Sequence, residues 1–257
     1  MENIFQTIEQ NKVNTYNTAP VEDDGTEVNC TKCNNRGMIA FLNNAGKFTL
    51  TPCKCAGHRR TIARLKQQGL FEAAKEKTLD KFTVTTEAQR GLKEIVQQYI
   101  ADSDPLWLIL CGQSGAGKTH LCTAAFVQIS MKQGTDGRYL LWNSDGRKIK
   151  AASKDGDESL LNDFKQTHLL YIDDLFKCKK GSEPTDADVR LAFELLDYRY
   201  AHRLRTIIST EMPMEDISYL DEAIYRRIRE RCGSYIGNVR KDKANCFDPN
   251  NNSLGGV

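Results

Sequence analysis

An apolar run breaks into glycines and ends on a lysine and a threonine in Leu108-Ile-Leu-Cys-Gly-Gln-Ser-Gly-Ala-Gly-Lys-Thr119. The residues Gly112, Gln113, Ser114, Gly115, Ala116, Gly117, Lys118 and Thr119 match the pattern G-x-x-x-x-G-K-[ST], a loop that cradles phosphate. Glycines let backbone N–H groups wrap an anion with no Cβ in the way. Lys118 is placed to reach the β- and γ-phosphates, and the Thr119 hydroxyl is placed to meet Mg2+. The helix that starts there turns its positive end toward the same charge. The chemistry expected is binding of ATP with Mg2+.

A second apolar run, Leu169-Leu-Tyr-Ile-Asp-Asp174, ends in two carboxylates. A strand that ends this way can present acids beside a phosphate loop. Asp173 would hold Mg2+ through its water shell, and Asp174 would polarise an attacking water. A third run, Thr206-Ile-Ile-Ser-Thr210, ends in a hydroxyl, and the segment Tyr225-Arg-Arg-Ile-Arg229 is rich in arginine. A surface helix with salt bridges through Glu222 and Glu230 would account for those arginines equally well.

Nine cysteines would suggest disulfides in a short secreted chain. Here four form two early pairs, Cys30-x-x-Cys33 and Cys53-x-Cys55, which can bring four thiolates around one tetrahedral Zn2+. His58 lies close enough to replace one of them. Four sulfurs leave no open coordination position, so the ion would be structural and would supply folding energy to a module too small for its own core. Cys111, Cys122, Cys178, Cys232 and Cys246 stand alone and read as structural residues.

These residues need elements to position them. A chain of 257 residues suits a main domain with a small appendage, and a net charge of +2 offers no global argument for nucleic acid. The apolar runs are too short to span a bilayer, and the N-terminus lacks a secretory pattern, so a soluble cytoplasmic protein with no membrane partner is expected. Residues 1–29 read as a short amphipathic fragment, Ile4-Phe-Gln-Thr-Ile-Glu-Gln10, followed by a polar linker. Residues 30–77 read as a zinc-binding module, with strands Met38–Leu42 and Lys47–Thr51 around a turn, running into a basic helix. From 78 to 244, helices (Thr86–Ala101, Lys118–Lys132, Asp186–Tyr200, Asp221–Arg231) alternate with strands (Leu106–Cys111, Arg138–Trp142, Leu169–Ile172, Thr206–Ser209). That order implies an α/β fold, a parallel sheet flanked by helices on both faces. Residues 245–257 read as a disordered tail.

Taken together, CTKC, CKCAGHRR, the arginine-rich helix, LDKF, the phosphate loop, LLYIDDLF, LDYRY and TIIST resemble the DnaC/DnaI-type replicative helicase loaders, many of them phage or prophage proteins. The resemblance covers roughly residues 30–240. It implies an AAA+ ATPase domain that self-associates, a ring helicase as partner of the N-terminal part, and single-stranded DNA as ligand. It also implies Thr210 as first sensor, with Glu211 the alternative, and Arg227 as the arginine that reaches a neighbour's nucleotide. Backbone-directed DNA contacts would come from His58-Arg59-Arg60 with Arg64 and Lys66, or from Arg147-Lys148 with Lys150. The stretch Trp142–Phe164 lies where initiator-type relatives insert a DNA-facing helix. A transposition helper ATPase that binds duplex DNA shares the AAA+ motifs and remains the alternative reading. A small-molecule kinase and a non-hydrolysing zinc adaptor are the more distant ones.

Overall fold

The structure, a computed structural model, describes residues 2–21, 27–102, 104, 106–178 and 181–239. The tail expected at 245–257 and Cys246 lie outside the described residues. The chain divides into two compact units, Met1–Phe71 with Ser130–Asp136, and Glu72–Ile129 with Gly137–Val257.

The smaller unit is built on a hairpin. Strands β1 (Met38–Leu42) and β2 (Phe48–Pro52) pair antiparallel with Ala40 opposite Leu50. The Asn43 side chain closes the turn by accepting from the N–H groups of Ala45 and Lys47, at 3.0 and 3.1 Å. Helix α1 (Glu2–Thr18) runs well past the fragment expected at its start and into the segment read as a linker. Polar groups dock it. The Asn17 amide both donates to the Ala40 carbonyl and accepts from the Ala40 N–H, each at 3.0 Å, so it serves the strand edge as a neighbouring peptide would. The Glu9 carboxylate accepts from the Phe48 N–H at 2.7 Å, and Tyr16 meets the Phe48 ring edge-on. Apolar patterning marks only the start of a helix held this way.

Helix α2 (Ala56–Gln67) follows the second cysteine pair, and α3 (Phe71–Glu76) follows a short turn. The basic stretch of α2 makes contacts within its own unit. Arg59 is buried and donates to the Val28 carbonyl at 2.7 Å, while Arg60 and Arg64 both pair with Asp136. Arg59 and Arg64 are thus engaged within their own unit, while the Arg60 side chain stays 55% exposed.

The larger unit carries the sheet. Its elements are α4 (Glu87–Ala101), β3 (Trp107–Gly112), α5 (Lys118–Gln133), β4 (Gly137–Leu141), α6 (Trp142–Lys154), α7 (Ser159–Gln166) and β5 (Leu169–Asp173). They are followed by α8 (Asp186–Ala201), β6 (Arg205–Ser209), α9 (Met214–Leu220), α10 (Glu222–Cys232) and β7 (Ile236–Val239). Every residue of β3, β5 and β6 is buried, as expected for strands covered on both faces. The strands are parallel in the order β4-β5-β6-β3-β7. The core joins Trp107, Ile109, Leu170, Ile172, Leu195 and Ile208 with the apolar faces of α6, α8 and α10.

Local chemistry agrees with these elements. Thr86 caps α4 by accepting from the Gln89 N–H, Thr185 and Asp188 form a reciprocal capping box on α8, and Asp221 caps α10. The expected helices and strands of this unit form within a residue or so of where the pattern places them. The stretch Trp142–Phe164 supplies two helices, α6 and most of α7. Strand β7 was not expected, because Ile-Gly-Asn-Val is too short and polar to read as a strand. It forms because β3 offers it an open edge.

Candidate nucleotide site and thiolate cluster

Strand β3 delivers the phosphate loop and α5 begins at its lysine. Gly112, Gly115 and Gly117 all have positive φ, at 107°, 83° and 89°. Two of them also lack room for a side chain. A Cβ on Gly112 would lie 1.9 Å from the Val239 carbonyl oxygen, and one on Gly117 would lie 2.4 Å from the Phe82 ring. The buried Lys118 ammonium donates to the carbonyls of Gly112 and Gln113, both at 2.8 Å, and so closes the loop from inside. Burial pushes its pKa down, against the opposing pull of Glu211 and Asp174.

Strand β6 lies between β3 and β5, so Asp173 stands two strands away from Gly112. Helix α5 bridges the gap. The Thr119 hydroxyl donates to Asp173 Oδ1 at 3.1 Å. Three further hydroxyls converge on that carboxylate: Tyr171 at 2.8 Å and Ser209 at 2.6 Å on Oδ1, and Tyr139 at 2.8 Å on Oδ2. A buried carboxylate held by four hydroxyl donors stays fixed in direction, as a group that orients a cation must. Burial pushes the Tyr139 and Tyr171 phenols up, so they remain donors. Ser209 closes the strand, and both tyrosines sit among apolar neighbours in theirs. Their alternation with inward-facing residues carried no signal of a shared carboxylate.

Asp174 leaves the strand with φ at 59°, a left-handed conformation uncommon for a residue with a side chain. Its carboxylate pairs with Lys177 at 2.8 Å, and Lys177 also pairs with Glu211 at 3.2 Å. Burial raises the Glu211 pKa, but the Lys177 hydrogen bond and charge outweigh it, and Lys118 and Ser114 act in the same direction. Glu211 thus follows the end of β6 as a carboxylate paired with Lys177. Thr210 is engaged elsewhere. Its fully buried hydroxyl donates to the Leu175 carbonyl at 2.6 Å and accepts from the Met212 N–H at 3.1 Å.

Arg227 is likewise engaged inside its own unit. Its guanidinium pairs with Asp197 at 2.6 Å, donates to the Ala223 carbonyl and lies over the Phe193 ring. Its neighbour Arg226 points outward on α10, three-quarters exposed, and pairs with Glu222 one turn earlier. Lys150 pairs with Asp188, Lys148 with Asp145, and Arg147 donates to the Asn143 carbonyl.

In the smaller unit, Cys30, Cys33, Cys53 and Cys55 place their sulfurs within 4.8 Å of one another. Sγ of Cys30 and Cys53 are 3.8 Å apart, and those of Cys33 and Cys55 are 3.4 Å apart. Tetrahedral Zn2+ with Zn–S bonds of about 2.3 Å needs sulfurs about 3.8 Å apart. The cluster fits zinc. Asn34 and Asn35 adopt positive φ and the Gly37 N–H donates to Cys33 Sγ at 3.3 Å, which folds the first pair into a knuckle. Burial weighs against ionising Cys30, but hydrogen bonds from neighbouring backbone and thiols prevail and bring its pKa down to about 7. His58 does not join the cluster. Its Nδ1 faces the Ser130 hydroxyl at 3.1 Å in a buried setting.

Comparison with known proteins adds three findings. Residues 47–232 match the family described as IstB-like ATP binding protein. The chain is 28% identical over 230 residues to Phage-like element PBSX protein XkdC of Bacillus subtilis (strain 168), covering 84% of each chain. Among solved structures, the DnaC helicase loader aligns with a TM-score of 0.58 at 21% identity, over 65% of this chain and 99% of that one. The replication initiator DnaA bound to AMPPCP and single-stranded DNA aligns with a TM-score of 0.52 at 21% identity, over 64% of this chain and 50% of that one. The larger unit thus has the AAA+ P-loop fold.

Proposed function

The chain belongs to the IstB-like ATP binding protein family of AAA+ ATPases, and from that premise we propose that it loads a hexameric replicative helicase onto single-stranded DNA. Residues Gly112 to Thr119 hold the phosphates of ATP. Thr119 and Asp173 hold Mg2+, which supplies charge neutralisation at the phosphates when bound. Asp174 polarises the attacking water, and Glu211, which shares Lys177 with it, takes the sensor position for which the sequence offered Thr210 or Glu211. The thiolate cluster holds Zn2+ as a structural ion.

The observation that carries the reading is one chain in which a four-thiolate module precedes an AAA+ ATPase. The likeness to the DnaC helicase loader over nearly the whole of that structure is consistent with it. Ile4, Phe5 and Ile8 on α1 are 66%, 68% and 46% exposed, an apolar patch that would suit a partner. ATP holds one arrangement of neighbouring subunits and hydrolysis releases it. Work of this kind belongs in the cytoplasm.

Native mass spectrometry of the protein with the ring helicase of its own genome, with and without ATP and Mg2+, tests the reading. A complex whose stoichiometry changes with nucleotide is expected. Absence of any complex would overturn it. The family match itself favours one second reading, a transposition helper ATPase, which predicts preference for double-stranded over single-stranded DNA in a binding assay.

A further inference from the structure

The end of the sheet beside the phosphate loop is crowded with acids. Asp173, Asp174 and Glu211 close β5 and β6, and the loop opposite contributes Lys118 alone. A nucleoside triphosphate adds several more negative charges at that point. Mg2+ held by Asp173 would offset part of this, but the carboxylates of Asp174 and Glu211 add charge of the same sign as the terminal phosphate.

Lys177 stands between them. Its ammonium is 2.8 Å from Asp174 Oδ2 and 3.2 Å from Glu211 Oε1. The position is built by the backbone. Asp174 and Phe176 both adopt left-handed φ, at 59° and 62°, and the Lys177 N–H donates to the Asp174 carbonyl at 3.0 Å, which curls the chain into a tight turn. That turn is pinned to the end of β6 from three directions. The Leu175 N–H donates to the Ser209 carbonyl at 2.9 Å, the Asp174 N–H donates to the Ser209 hydroxyl at 3.1 Å, and the Thr210 hydroxyl donates to the Leu175 carbonyl at 2.6 Å. Two uncommon backbone conformations are thus maintained at a turn whose outcome is one lysine between two carboxylates.

We propose that Lys177 is the residue that makes this acidic strand end compatible with a triphosphate: by bridging Asp174 and Glu211 it cancels their repulsion of the γ-phosphate and sets the preference for ATP over ADP. The inference rests on the phosphate loop being the ATP site. Lys177 acts through the two carboxylates and is a positioning residue. It holds one oxygen of Asp174, Oδ2, by its ammonium. A diphosphate lacks the γ-phosphate charge and so feels the same carboxylates more weakly, because Coulomb energy scales with charge and falls with distance and screening.

The test is calorimetric titration of the full chain with ADP and with a non-hydrolysable ATP analogue, both with Mg2+, for the wild type and for Lys177→Met, Glu211→Gln and the double variant. Lys177→Met is expected to weaken the ATP analogue about tenfold and ADP no more than about twofold, with the deficit shrinking at high salt. Adding Glu211→Gln should restore most of the lost affinity, a coupling that loss of a merely structural lysine would not show. Glu211→Gln alone should tighten the ATP analogue, which keeps the inference open to refutation if Lys177→Met fails to fold. Equal losses for both nucleotides, no rescue in the double variant, or unchanged affinity in Glu211→Gln would overturn it. A wild type that binds neither nucleotide would instead remove the reading of the loop itself.

Discussion

At the scale of single residues, the site separates groups that bind from groups that react. Lys118 is buried and already donates to two loop carbonyls, so its charge is oriented before phosphate arrives. Lys118→Ala should abolish tight ATP binding in a calorimetric titration, since nothing else in the loop supplies a cation. Asp174→Asn should behave differently. It keeps the side-chain shape and should not weaken ATP binding, but removes the group proposed to polarise water, so steady-state hydrolysis should fall by about 10²-fold or more. An unchanged turnover would assign that work elsewhere.

At the scale of elements, the loop and helix α10 each carry a prediction. Gly117 combines a φ of 89° with a Cβ position 2.4 Å from the Phe82 ring. Gly117→Ala should therefore cost about 1–3 kcal/mol of strain in the loop and weaken nucleotide binding to match. Shortening the ring with Phe82→Ala should recover only part of that, because the dihedral is untouched. On α10, Arg227 is three-quarters buried against Asp197 and Phe193, whereas Arg226 is mostly in solvent. Arg227→Ala should lower the melting temperature by the equivalent of about 1–2 kcal/mol, through lost packing as well as lost charge. Arg226→Ala should leave it unchanged. If Arg227 also reaches a neighbour's nucleotide, it must first leave Asp197, and ATPase activity that depends on protein concentration would then disappear in Arg227→Ala.

At the scale of the whole molecule, the chain divides into two compact units, and their responses should separate. Cys30→Ser should release Zn2+, read with a chromogenic chelator, and unfold the smaller unit while the larger one still binds ATP. Loss of both together would contradict this division. Acid should act first on the same unit. Burial, then the neighbouring Arg59 charge, hold the His58 pKa below its usual value of 6.5. The unfolded chain then binds the proton more readily than the folded one, so the contribution of neutral His58 is complete above about pH 6.5 and is lost as pH falls toward the folded value. Thiolate ligands add a loss of the same sign. A thermal scan from about pH 8 downward should show the smaller unit melting earlier as acidity rises, with a flatter profile in His58→Gln.

The phosphate loop, the acid pair and the four cysteines were legible in the sequence as candidate groups because each depends on residue types at fixed local spacing. The β-α alternation was legible for a similar reason, since fully buried strands must be continuous apolar runs. Partnership across the chain was not. Which hydroxyls surround Asp173, that Thr210 spends its hydroxyl on Leu175, that Arg227 folds onto Asp197, and that His58 turns to Ser130 all depend on side chains far apart in sequence meeting in space. Helix α1 shows the same limit, because its amphipathic start at Ile4 to Gln10 was legible but the polar atoms that dock it and carry it to Thr18 leave no apolar period to read. Local spacing determined which groups this protein can use. Only the order β4-β5-β6-β3-β7 decided which of them face one another, because it inserts β6, with Ser209 and Glu211 at its end, between the loop and the acids.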